Sequence, residues 1–184
     1  MMKVVKKLLK SVVVSSLVIC MSAMPVSAAE VDENKMVTSL EEIGLGEYAQ
    51  YAVDDDSTIQ PKAPAPALTS LKMYWLNSQK AGEEYVQQSS SSLQVGSKLD
   101  HGGTWFQAET IEIGYAKSRF AYFNGVRMTL TDSQGLDFNN DRIIDGYLCL
   151  WTYQGTEYET GTFEANSTSA NSPWNTLNLR FYVY

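Results

Sequence analysis

From Leu68 onward, apolar residues recur at every second position, and that period most narrows what the chain can become. Leu71, Met73 and Trp75 alternate with Lys72, Tyr74 and Leu76. Val126, Met128 and Leu130 alternate with Arg127, Thr129 and Thr131. Leu177, Leu179, Phe181 and Val183 alternate with Asn178, Arg180, Tyr182 and Tyr184. Successive side chains of a strand point to opposite faces, so each run reads as a half-buried strand. Residues 104–115 read as another, with Ile111, Ile113 and Tyr115 on one face. Residues 147–153 are apolar on both faces, which predicts a central strand. Asn124-Gly125 lies between the runs 120–123 and 126–130 and supplies the positive φ angles of a type I′ hairpin turn. Gln154-Gly155 is a weaker hairpin signal before 157–163, and the Ser-rich stretch 87–97 reads as a long loop. About seven short strands without a convincing helix predict an all-β domain over 68–184, a small antiparallel β-sandwich or barrel.

The N-terminal part follows other rules. Lys3, Lys6, Lys7 and Lys10 precede an apolar run over 12–21, and small residues follow to Val26-Ser27-Ala28-Ala29. These are the parts of a secretory signal peptide, cleaved after Ala28 or Ala29. The run is too short to span a bilayer of about 30 Å, so no membrane span is expected after cleavage. The expected location is extracellular. Residues 1–29 hold four of the 14 basic residues and none of the 21 acidic ones, which leaves 10 against 21, a net of −11. That balance argues against nucleic acid and anionic membranes as partners and suits a monomeric secreted protein, including one that binds cations.

Cys20 falls inside the signal, and the residue before it is Ile19 rather than the small residue of a lipid-attachment site. Cleavage leaves Cys149 alone, so no intramolecular disulfide forms, and the fold must rest on its core or on a metal. Residues 30–67 carry nine acids against Lys35 and Lys62 and end in a Pro/Ala run from Pro61 to Ala67. They read as an acidic, largely flexible leader, or as a propeptide that masks a surface. Within them Ser39-Leu40-Glu41-Glu42 has the form of a capping box, and Leu40, Ile43 and Tyr48 form a weak amphipathic stripe.

One loop carries spacing with chemical meaning. In 137–145, oxygen side chains fall at positions one, three, five and nine as Asp137, Asn139, Asp141 and Asp145, and Ile143 offers a backbone carbonyl at seven. Calcium takes six to eight oxygens, and loops that hold it place them at this spacing. Two residues depart from the pattern: Arg142 stands at position six, where glycine is usual, and Leu148 stands at twelve in place of a bidentate Glu. The competing reading is a polar turn, which Asn and Asp favour on their own account. Any calcium here is expected to be structural.

His101-Gly102-Gly103, Glu112-Ile113-Gly114-Tyr115, the Asp-rich loop running into Asp145-Gly146-Tyr147, and Asn171-Ser172-Pro173-Trp174-Asn175-Thr176 resemble the YolA-like family of small secreted proteins from Bacillus and related Gram-positive bacteria. The resemblance covers residues 68–184. It implies secretion by a Gram-positive bacterium and a single β-domain, and it implies no particular activity.

The remaining constellations divide among function classes. A Ser–His–Asp hydrolase would have to use His101, the single histidine, and no Gly-x-Ser-x-Gly elbow accompanies it. Cys149 lies between Leu148 and Leu150, where cysteine acts as a small hydrophobe. Glu109 and Glu112 face opposite sides of one strand, and Glu157 and Glu159 read as a solvated edge rather than a glycosidase pair. Trp75 and Trp151 read as core, whereas Trp174 and Trp105, with His101, are candidates for a ligand-binding platform. The expectation is a non-enzymatic protein with a binding or interaction role at the cell surface or in the medium, its extracellular ligand unidentified and a glycan or the cell wall among the candidates. The alternatives are a bacteriocin-like or toxin-like effector and a secreted glycan hydrolase.

Overall fold

The computed structural model describes residues 34–53, 65–86, 88–89 and 92–184. The signal expected over 1–29, and residues 54–64 with the start of the Pro/Ala run, lie outside the described residues. The described residues form eleven strands: β1 (Ser70–Ser78), β2 (Gly82–Tyr85), β3 (Gln88–Ser89), β4 (Ser92–Leu93), β5 (Gly103–Ile113), β6 (Ala116–Phe123), β7 (Val126–Arg127), β8 (Thr129–Leu136), β9 (Gly146–Tyr158), β10 (Gly161–Ser169) and β11 (Thr176–Val183). A five-stranded antiparallel sheet has the order β2-β1-β5-β9-β8, and a four-stranded one has the order β11-β10-β6-β7. A small β3–β4 hairpin interrupts the stretch expected as a long loop.

The two sheets face each other as a β-sandwich. Met73, Leu76, Phe106, Ala108, Cys149, Trp151 and Tyr153 of the first sheet pack against Ala121, Phe123, Phe163, Ala165, Phe181 and Val183 of the second. The expected central strand is found: β9 is buried on both faces, and so is β5. The Asn124-Gly125 turn takes φ angles of 50° and 77°, both in the left-handed region, as a type I′ turn requires.

Three local expectations give way to sheet geometry. Met73 pairs with Thr110 and Trp75 with Glu109, which leaves Tyr74 as the extra residue of a β-bulge. The bulge reverses the alternation, so Met73 and Leu76 face the sandwich core while Trp75 faces the other side. The run 126–130 is not one strand. The chain changes sheets at buried Met128, β7 pairing with β6 and β8 with β9, and Val126 and Leu130 are exposed. Gln154-Gly155 does not turn either: β9 continues to Tyr158 through a register shift opposite Gly103 and Trp105.

Residues 34–53 differ from a flexible leader. They share one compact unit with the strands and form a third layer on the outer face of the five-stranded sheet. Helix α1 (Leu40–Ile43) and a 3₁₀ helix (Gly46–Tyr51) place Leu40, Ile43, Leu45, Tyr48 and Tyr51 against Trp75, Ile111, Leu136, Leu148 and Leu150. The physical reason is the two-sided sheet: β5 and β9 carry apolar residues outward that need a cover. The expected capping box is half formed. Ser39 makes no side-chain cap bond, Glu42 accepts the N–H of Thr38 at 2.9 Å, and the Leu40 N–H donates to Asp132 Oδ2 at 2.8 Å.

Candidate functional site

The change of sheets at Met128 opens a cleft on the side of the sandwich. Its volume is about 410 Å³, and Met36–Thr38, Gln107, Arg127, Thr129, Thr131, Thr152, Tyr153 and Gln154 line it. Gln107 fixes its inner wall: the Val37 N–H donates to Gln107 Oε1 at 2.9 Å, and Gln107 Nε2 donates to the Val37 carbonyl at 2.8 Å and to Thr152 Oγ1 at 3.0 Å. Thr131 Oγ1 donates to Thr152 Oγ1 at 2.6 Å. The cleft thus presents hydroxyls and amides, with one guanidinium at its mouth. Arg127 has no carboxylate partner within ion-pair distance among the described residues and lies over the Phe120 ring at 4.6 Å.

Phe120 joins the cleft to the outer face of the four-stranded sheet. That face carries neutral hydrogen-bonding pairs: Asn166 opposite Asn178 and beside Phe120, and Thr168 opposite Thr176 and beside Ser118. The Thr168 and Thr176 hydroxyls are 2.9 Å apart. Whereas residues 34–53 cover the other sheet, no described residue covers this one in the same way. The β10–β11 loop at its end carries Trp174, 63% exposed, with φ 54°, a conformation unusual for a bulky residue. The loop is braced by the Trp174 N–H to the Asn171 carbonyl at 2.7 Å and by Asn175 Nδ2 to the Leu68 carbonyl at 3.1 Å. Trp174 remains available to a ligand. Trp105 is 8% exposed and presents little ring surface.

His101 lies elsewhere, in a buried relay that its sequence neighbours do not announce. Its Nδ1 is 2.8 Å from Ser78 Oγ and its Nε2 is 3.3 Å from Glu84 Oε2. All three residues are buried, His101 and Ser78 fully, so no substrate carbonyl reaches the hydroxyl in this packing. Burial holds the imidazole below its ordinary pKa against the pull of Glu84. Burial also pushes Glu84 up, but the N–H groups of Leu99 and Lys98 outweigh it and keep the carboxyl below its usual range. Glu84 accepts those N–H groups at 2.9 Å and ties 94–101 to β2. The relay is a clamp on that loop and on the C-terminus, where the His101 N–H donates to the Tyr184 carbonyl.

The acidic loop folds on its own backbone. Asp137 Oδ2 accepts the Arg142 N–H at 2.8 Å, Asp141 Oδ1 accepts the Ile143 N–H at 2.8 Å, and Asp145 Oδ2 accepts the Phe138 N–H at 3.0 Å. Asn139 Oδ1 accepts the Asp141 N–H at 3.0 Å. Among the described residues no three His, Cys, Asp or Glu side chains converge as a metal-holding group. Arg142, at position six, takes φ 67°, the conformation for which glycine is usual there.

Cys149 is fully buried, and burial pushes its thiol far above the ordinary range. Glu109 and Glu112 do face opposite sides of β5, and Glu157 and Glu159 are exposed.

No curated protein and no solved structure matches the chain. A domain of unknown function, DUF4879, matches residues 63–183, from just before β1 to the last residue of β11. The matched segment holds the strands of the sandwich and the cleft's lining from Gln107 to Gln154 but not its Met36–Thr38 wall, and the chain belongs to the DUF4879 family of domains of unknown function.

Proposed function

We propose that the protein is a secreted, non-enzymatic binding protein whose ligand is a polyhydroxylated glycan of the cell surface or cell wall. The observation that carries this reading is the outer face of the four-stranded sheet, which no layer of the described residues covers, continuous through Phe120 with the cleft at Arg127. Sugar hydroxyls both donate and accept, and paired Asn, Thr and Ser side chains do the same without charge. Sugar C–H faces stack on aromatic rings, which Trp174 and Phe120 offer, and an exposed guanidinium favours ligands that also bear carboxylate or phosphate. The basic, apolar and small-residue order of 1–29 and the resemblance to YolA-like proteins support secretion. Retention of purified protein on isolated Gram-positive cell walls and on insoluble polysaccharides tests the reading. Arg127→Ala and Trp174→Ala should each weaken retention about tenfold, the equivalent of about 1.4 kcal/mol. Full retention by the double variant, or no retention by the wild type, would remove this reading.

The calcium reading belongs to the same proposal and concerns stability rather than ligand choice. Asp137, Asn139, Asp141, Asp145 and the Ile143 carbonyl would hold one ion, and the left-handed φ of Arg142 supports it. Binding to the folded state alone raises the unfolding temperature by mass action. Millimolar calcium against EGTA should therefore raise Tm by several degrees, and Asp141→Ala should abolish the rise. An unchanged Tm would leave the loop a polar turn.

A further inference from the structure

Residues 34–53 lie over a polar defect. Glu109 is fully buried, and neither of its carboxyl oxygens has a hydrogen-bond partner. Trp75 Nε1 and Asn77 Oδ1, on the same face of the sheet, are also without partners. Glu109 sits on β5 between Gln107 and Ile111, with Trp75 of β1 and Leu150 of β9 as cross-strand neighbours. The segment covers all four: Val37 binds Gln107, and Leu40, Ile43 and Tyr48 belong to the cluster that holds Trp75, Ile111 and Leu150. Polar bonds hold the segment at both ends and at two points between: Asn34 Nδ2 to the Gln79 and Lys80 carbonyls and Asn77 Nδ2 to the Lys35 carbonyl at its start, Val37 with Gln107 and the Leu40 N–H to Asp132 further on, and the Val53 N–H to the Gly135 carbonyl and the Asp137 N–H to the Tyr51 carbonyl at its end, whereas over Glu109 itself the contacts are apolar.

A buried ionised carboxylate with no protein donor or cation within hydrogen-bond distance is strongly disfavoured, so the covered state calls for a neutral acid. The groups that face Glu109 do not relieve it. Tyr48 faces it from the covering segment, with Glu47 beside it; Tyr74 faces it from β1, and Tyr85 from β2, with Glu83 beside it. Cys149 feels it from the opposite face of β9. All are neutral or acidic. Lys35 of the segment and Lys72 of β1 are exposed, and Asp132 of β8 is taken by the Leu40 N–H.

We propose that residues 34–53 are a pH-gated cover: Glu109 must be protonated for the segment to lie on the five-stranded sheet, and its ionisation releases the segment and bares Tyr74 and Trp75. Burial alone pushes the carboxyl from 4.5 up to about 8. The covered form therefore binds the extra proton. Closure is complete below the solvated value, weakens about tenfold per pH unit as pH rises, and levels off above about 8. The released segment also takes the Met36–Thr38 wall away from the cleft. The inference stands apart from the glycan reading, because it needs no ligand.

Hydrogen–deuterium exchange of the full secreted chain from pH 5 to 9, corrected for intrinsic exchange, tests it. Protection of peptides within 36–51 should fall at least tenfold over that range, while peptides from β9 keep theirs. Glu109→Gln should remove the pH dependence, and Glu109→Leu, which restores an apolar face, should do so with higher protection throughout. Constant protection of 36–51 in the wild type would overturn the proposal. So would a fall that persists in both variants, or one shared equally by β9, which would mean global unfolding.

Discussion

Arg119→Met is expected to destabilise the protein by about 3–5 kcal/mol, because it strands a buried carboxylate between the two sheets. Glu112, on β5, is fully buried and faces inward, where the Arg119 Nε–H of β6 donates to its Oε2 at 3.1 Å and the Ser167 hydroxyl of β10 donates to its Oε1. The Arg119 guanidinium also lies over the Tyr147 ring at 4.4 Å. The arrangement joins three strands from both sheets through one charge. Removing the cation leaves the anion without its counter-charge in a low-dielectric interior, whereas removing both charges does not. The double variant Glu112→Leu, Arg119→Met should therefore recover most of the loss in urea unfolding. A single Arg119→Met variant within about 1 kcal/mol of wild type would show that Glu112 is not held as a buried anion.

Phe106→Ala should cost a similar amount, about 3–5 kcal/mol, for a different reason. Phe106 is fully buried at the centre of the sandwich, stacked on Phe123 at 4.6 Å between centroids and set against Phe163 and Tyr158 at 6.2 and 6.4 Å. Truncation removes contacts with both sheets and leaves a cavity that rigid strands cannot close. Trp174→Ala, which removes a larger ring from an exposed loop, should change stability by no more than about 0.5 kcal/mol. Urea unfolding of the two variants side by side separates core aromatics from those free to bind. Equal losses would mean that Trp174 packs in solution.

The candidate site was legible in the sequence only in pieces. Trp174 stood out because proline and a polar loop precede a strand, and it is exposed. Trp105 and His101 did not follow, since nothing local reveals that Trp105 lies in a buried stretch of β5 or that His101 is enclosed by Ser78 and Glu84. The cleft could not be foreseen, because it depends on where the chain passes from β7 to β8 and on Val37 meeting Gln107 seventy residues away.

By itself the sequence determined what short-range geometry dictates. A period of two sets strands, as over Thr176–Val183, and an Asn-Gly pair sets a turn by its tolerance of positive φ. Apolar residues on both faces made β9 central before any partner was known. Only the tertiary structure decided which face a residue meets once a bulge intervenes at Tyr74, which sheet follows Met128, and that residues 34–53 dock instead of trailing. Those outcomes rest on pairings between distant segments and on burying an outward apolar face. Local spacing carries no information about a partner that arrives from elsewhere in the chain.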